Sequence, residues 1–146
     1  TTFVYYAQMI NSGRYALYDY GKRQNKKIYG TDEIDKSLPV YITEGPFDST
    51  FIRNSVAMCG ADLVQRDWGI SNCCWIFDNE PRNSEILRRI RDTIDRGEDV
   101  VIWPSNIREK DINDMVLAGH HVQDLVESNT YSGLQAKLKF NNWKKI

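Results

Sequence analysis

Residues 73–104 read CCWIFDNEPRNSEILRRIRDTIDRGEDVVIWP, and the fold class follows from them. CCWIF (73–77) is an uninterrupted apolar run of strand length, the pattern of a strand covered on both faces in a parallel sheet. A helix is predicted next: Pro81 stands near its start, Ile86, Leu87, Ile90 and Ile94 form one apolar stripe at helical spacing, and Gly97 stops it. VVIW (100–103) is a second apolar run, closed by Pro104. Strand, amphipathic helix and strand in that order make a βαβ unit, in which the helix carries the chain back so that the strands run parallel.

The same alternation extends outward. VYIT (40–43) is a compact β-rich run ending in Glu44-Gly45-Pro46, and FDSTFIRNSV (47–56) sets Phe47, Phe51 and Ile52 at helical spacing. VAMC (56–59) reads as a short strand and ADLVQRDW (61–68) as a short helix closed by Gly69. Residues 38–118 therefore predict a parallel α/β sheet flanked by helices. Downstream, HHVQDLVESN (120–129) and SGLQAKLKFNNWKKI (132–146) read as two helices, with Ser132 a candidate cap and Leu134, Leu138 and Trp143 on one face. Upstream, the Tyr-rich runs of residues 1–30, broken at Ser12-Gly13, suit strands joined by a hairpin turn. The chain thus divides into a strand-rich segment (1–37) packed on the core, an α/β core (38–119) and C-terminal helices (120–146).

At 146 residues, 41% hydrophobic and 27% charged, the sequence fits one domain. Nineteen Lys+Arg against twenty Asp+Glu exclude the uniform basic footprint of an autonomous nucleic-acid-coating protein. The mean hydropathy of −0.54, with no apolar run of membrane-spanning length, argues against membrane insertion. TTFVYYAQMI at the start lacks the basic lead and small-residue cleavage site of a signal peptide. Three cysteines, Cys59, Cys73 and Cys74, are odd in number and two are adjacent, so neither a disulfide framework nor a four-ligand zinc clip is drawn from them. A reducing cytoplasm is the expected compartment.

Ligands of an open parallel sheet bind beyond the carboxyl ends of its strands, and that edge is acidic here. VYIT is followed by Glu44, with Asp48 four residues on; CCWIF is followed by Asp78 and Glu80; after VVIW come Asp111, Asn113 and Asp114. Acids in these positions also serve as helix caps. Capping does not explain why Asp78 and Glu80 occupy alternate positions at a strand end. Carboxylates converging from three connections repel one another unless a cation joins them, and a hard dication such as Mg²⁺, with Mn²⁺ able to substitute, is the natural counterion.

These residues resemble a known family. VYITEGPFDSTFIRNSVAMCGAD (40–62) is similar to the first motif of Toprim domains, a strand ending in Glu-Gly; WIFDNEPRNSE (75–85) resembles the second, usually Asp-x-Asp after a strand. KDINDMVLAG (110–119) resembles the Lys-Asp-x-Asn-Asp/Glu segment of phage and mitochondrial relatives, and the three together most resemble primases of T-even-like bacteriophages. The resemblance covers residues 38–119 and implies a Toprim, Rossmann-like fold. It implies a DNA-directed RNA polymerase that makes short primers on single-stranded DNA from ribonucleoside triphosphates, beside a replicative helicase. Glu44, Asp78, Glu80 and Asp111 match the family's catalytic, metal-holding acids, with Asp114 a further ligand and Glu44 either a ligand or a proton-transfer group. The sequence departs from the family at Glu80, where an aspartate is usual. Such primases also carry a zinc-binding template-recognition domain, and no four-ligand zinc ribbon is drawn from three cysteines in this spacing, so the isolated chain is expected to bind metal yet prime poorly. The alternatives are a Toprim-type metal-dependent nuclease and a non-catalytic module that docks onto a replication partner.

Two basic clusters stand apart from the balanced average. Lys22, Arg23, Lys26 and Lys27, with Lys110 beside the acids, are candidates for following a phosphate backbone. Lys137, Lys139, Lys144 and Lys145 crowd the C-terminus, where Phe140 and Trp143 suit base stacking. Arg82, Arg88, Arg89 and Arg91 alternate with Glu85, Asp92 and Asp95, the pattern of a mixed-charge exposed helix face. His120-His121 reads as surface or packing, and Cys73-Cys74 as small core residues sent to opposite faces of a strand. Trp103, ending its strand, is read as core or as lining the cleft.

Overall fold

The computed structural model describes residues 28–58 and 70–146. Among them, six strands form one sheet: β1 (Ile28–Tyr29), β2 (Val40–Thr43), β3 (Ser55–Met58), β4 (Cys73–Trp75), β5 (Asp99–Val101) and β6 (Thr130–Tyr131), in the spatial order β1-β3-β2-β4-β5-β6. The four central strands are parallel, and β1 and β6 close the two edges antiparallel to β3 and β5. The helices are α1 (Pro46–Ser49), α2 (Ser84–Asp95), α3 (Ile112–Leu117), α4 (Val122–Ser128) and α5 (Gly133–Trp143).

Two-residue alternation along the strands builds two cores. Val40, Ile42, Val56, Trp75, Phe77, Val100 and Ile102 face α2 and α5. Cys74, Ile76, Val101 and Trp103 face the other way, onto α3 and α4. Cys73 packs against the first core and Cys74 against the second, as the strand reading expected. Burial pushes their thiols up to about 11 and about 12, which suits inert packing.

α2 follows its sequence signals closely. Asn83 at the N-cap accepts from the Glu85 and Ile86 amides, Ile86, Leu87, Ile90 and Ile94 are all at most 5% exposed, and Gly97 ends the helix at φ 77°. Burying those four side chains contributes roughly 6–12 kcal/mol before entropy is counted.

Three expectations are corrected. The helix read over 47–56 is a single turn, α1, because Asn54 takes a left-handed φ of 51° and its side chain is tied to Asp35 and Pro39 across the sheet end. The chain then enters β3 directly. Along α5 the buried residues are Ala136 and Phe140, while Leu134 and Leu138 lie 73% and 59% exposed. Ser132 stands at the N-cap of α5 but makes no capping hydrogen bond through its side chain. The hairpin read in residues 1–30 and the helix read at 61–68 fall outside the described residues, apart from β1. No helix among the described residues is long and apolar enough to cross a membrane.

Candidate functional site

The sheet order fixes where a site can form. From β2 the chain runs through α1 to β3 on one side, then crosses to β4 on the other, from which α2 leads on to β5. Adjacent parallel strands whose connections depart in opposite directions open a crevice at their carboxyl ends. The residues beyond those two strand ends are Glu44 and Asp78.

The two acids meet across the crevice. The Asp78 amide donates to Glu44 Oε2 over 3.4 Å, and both side chains are about four-fifths shielded, at 21% exposure each. Burial, then the Glu44 charge and a carboxyl hydrogen bond with Glu44, push the Asp78 carboxyl up to about 8; Lys110 opposes this. Glu44 is held from its other side by Arg89, whose Nη1 lies 3.1 Å from Glu44 Oε1 and whose Nη2 lies 2.7 Å from Glu85. Arg89 is therefore no part of an exposed mixed-charge face. It is half-buried and braces the acid at the crevice, whereas Arg88 pairs with Asp92 on the surface, in keeping with a mixed-charge exposed face.

Lys110 approaches from the loop after β5, its Nζ 3.5 Å from Glu80 and 3.8 Å from Asp78. These charges raise the pKa of the exposed lysine, Glu80 first. Asn79 sets that approach. Its amide donates to the Lys110 carbonyl over 2.6 Å, and its Nδ2 donates to the carbonyls of Ile107 and Glu109. The residue between the two acids thus pins the 107–110 loop against them.

Asp111 caps α3, its Oδ1 accepting from the Asp114 amide over 2.8 Å. Asp114 lies exposed in the first turn of that helix. Between this helix and Glu44 stands Asp48, on α1, whose Oδ1 accepts from the Asn113 amide over 2.9 Å. Burial pushes the Asp48 carboxyl up to about 6; the Asn113 hydrogen bond lowers it, and Asp111, Glu44 and Asp114 raise it. Of the acids read from sequence, Glu44 meets Asp78, Glu80 shares Lys110 with Asp78, Asp48 links toward Asp111, and Asp114 lies at the rim.

Among the described residues, no three His, Cys, Asp or Glu side chains stand close enough to hold a metal ion by themselves. The donors are carboxylate oxygens throughout, and Asp78 is short of positive charge. That chemistry fits a hard dication held by one or two carboxylates, with water and phosphate oxygens completing its shell.

Other sequence candidates are placed elsewhere. Lys22, Arg23, Lys26 and Lys27 lie outside the described residues. His120 bonds Glu109 over 3.1 Å, and His121 is exposed. Phe140 is buried under Lys144 and is not available to stack on a base; Trp143 donates to Asn79 Oδ1 over 3.0 Å. Trp103 is core, its Nε1 donating to the Phe77 carbonyl over 2.8 Å. Asn79 and Arg89 are residues that sequence reasoning did not assign to the site; Asp48 was read at the acidic sheet edge but not among the catalytic or metal-holding acids.

No protein-family model matches the chain. It is 34% identical, over 126 residues, to the DNA primase of Enterobacteria phage T4, a match covering 82% of this chain and 36% of that protein. The chain therefore spans about a third of the length of the curated relative it matches, and is related to a phage DNA primase.

Proposed function

We propose that this relative of phage DNA primase is the nucleotidyl-transfer core of such an enzyme, of Toprim type, making short RNA primers on single-stranded DNA from ribonucleoside triphosphates. The observation that carries the reading is the juxtaposition of Glu44 and Asp78 across the crevice between β2 and β4, where two largely shielded carboxyl groups lie against each other with Glu80 alongside. Asp78 and Glu44 would hold Mg²⁺ or Mn²⁺, with Glu80 and Asp48 completing the acidic wall and Asp111 and Asp114 farther out. Bound there, the dication supplies charge neutralisation for the triphosphate as pyrophosphate departs. Arg89, 3.1 Å from Glu44 Oε1, holds that carboxylate in place at the crevice. Lys110, with its free reach beside Asp78 and Glu80, is suited to exchange its carboxylate contacts for a phosphate oxygen of the incoming nucleotide.

A polymerase is favoured over a nuclease of the same fold by the relationship to a primase rather than by the carboxylates, which would serve either chemistry. A replicative helicase partner is proposed from the same relationship. The test is primer synthesis by the full-length enzyme carrying Asp78→Asn. The expected result is loss of activity by at least about a thousandfold, the scale of removing a group that stabilises transferring phosphate charge, with an unchanged circular dichroism spectrum. Full activity in a folded Asp78→Asn enzyme refutes the assignment.

A further inference from the structure

Beyond the carboxyl end of β5, between the 102–108 segment, β6 and the end of α5, lies a cleft of about 730 Å³ that the carboxylate site does not use. Arg108, Lys139 and Lys145 line it, and no carboxylate does so among the described residues. None of the three cations has a carboxylate partner among the described residues, whereas Lys110 and Lys137 are both paired. Unpaired like charges around one concavity repel one another, and an anion entering it is favoured. The wall between them is aromatic. Tyr131 and Trp143 are half-buried there, with Lys139 Nζ 5.2 Å from the Tyr131 ring centroid.

The cleft is also a built feature. Trp143 is fixed by its bond to Asn79, and the Lys145 amide donates to the Pro81 carbonyl over 2.9 Å, so the end of the chain is docked against the loop after β4. The volume is of the size that small-molecule sites occupy. Cations for phosphate together with flat rings for a base describe a nucleotide better than a simple anion or an acidic peptide. Asn79 borders the cleft and stands between Asp78 and Glu80 in the chain, which makes the cleft and the carboxylate crevice neighbours.

We propose that this cleft binds the phosphate and base of a nucleotide, free or within a single strand, without requiring metal. The nucleotide identity of the ligand rests on the nucleotidyl-transfer reading of the neighbouring carboxylates; the cation-lined cleft does not. The test titrates the 146-residue chain, in EDTA, with ATP and separately with a fluorescently labelled oligothymidylate, reading tryptophan fluorescence and anisotropy. Saturable binding is expected, weakened about tenfold or more by Lys139→Glu combined with Lys145→Glu, the loss that follows from removing charge-assisted contacts. Arg108→Gln should weaken it in the same direction. Lys137→Glu, an equal charge change at a lysine paired with Asp95 outside the cleft, should leave it within about twofold, as surface substitutions do. Binding of ATP marks a free-nucleotide site, and binding of the oligonucleotide alone marks a strand site. The proposal is overturned by the failure of both ligands to bind, or by Lys137→Glu weakening binding as much as the cleft variants. Retained cleft binding in a chain that fails to take up Mn²⁺ overturns the transfer reading and leaves the cleft standing.

Discussion

Between pH 5 and pH 8 the Asp78 carboxyl loses a proton that the folded chain holds far more tightly than an unfolded one does. Its folded pKa of about 8 lies above the ordinary 3.8, so its ionisation costs stability as pH rises from the lower value through the upper. Asp48, pushed up to about 6, adds to the same slope at its acid end. In chelator, the melting temperature of the wild-type chain should therefore fall from pH 5 to pH 8 more steeply than that of Asp78→Asn, and calorimetry at the two pH values checks it. Parallel lines would show that burial and the Glu44 charge do not hold the Asp78 proton. At this scale the sequence marked Glu44 and Asp78 beyond strand ends, with Glu80 two residues on and Lys110 in the loop after β5. It could not disclose Arg89, whose partner lies 45 positions away and depends on the rotation of α2 about its axis. Asn79 was similarly hidden, since its role is to bond carbonyls of a loop that starts 28 residues later. Asn79→Ala strips those bonds from half-buried carbonyls and should cost about 1–3 kcal/mol in denaturant unfolding.

Elements were legible where one pattern had no competitor. α2 has one apolar stripe, a Pro near its start and a Gly at its end, and each signal agrees with the others. α5 has two candidate faces, Leu134/Leu138 and Ala136/Phe140, both with four-residue spacing. The sheet accepts the second because a small residue lets the helix approach while Phe140 fills the core. Nothing local to the sequence ranks those faces. β6 is two residues long, too short for any periodicity to mark it. The contrast between the helices is measurable. Leu87→Ala should destabilise the chain by about 2–5 kcal/mol through lost burial and a cavity. Leu138→Ala, on the exposed face of α5, should change stability by less than about 0.5 kcal/mol.

For the whole molecule, a formal net charge of −1 conceals two opposed surfaces: an acidic crevice at the β2–β4 switch point and a cation-lined cleft beside β5 and α5. The sheet order generates the first, and docking of the C-terminal residues onto the loop after β4 generates the second. The parallel α/β architecture was readable from alternating apolar runs. The antiparallel edges were not, because β1 and β6 are short. The chain corresponds to 36% of its phage T4 relative, and we expect the 146 residues alone to bind Mn²⁺ but to make few primers on single-stranded DNA, as gel assays of labelled products would reveal. The most direct test of the carboxylate crevice is anomalous diffraction from crystals of the chain grown with Mn²⁺ and a ribonucleoside triphosphate. The predicted result is an anomalous peak bonded to Asp78, with Glu44 or Glu80 beside it and triphosphate oxygens completing the shell. A peak elsewhere, with Glu44 still on Arg89 and Asp78 free of metal, would contradict it.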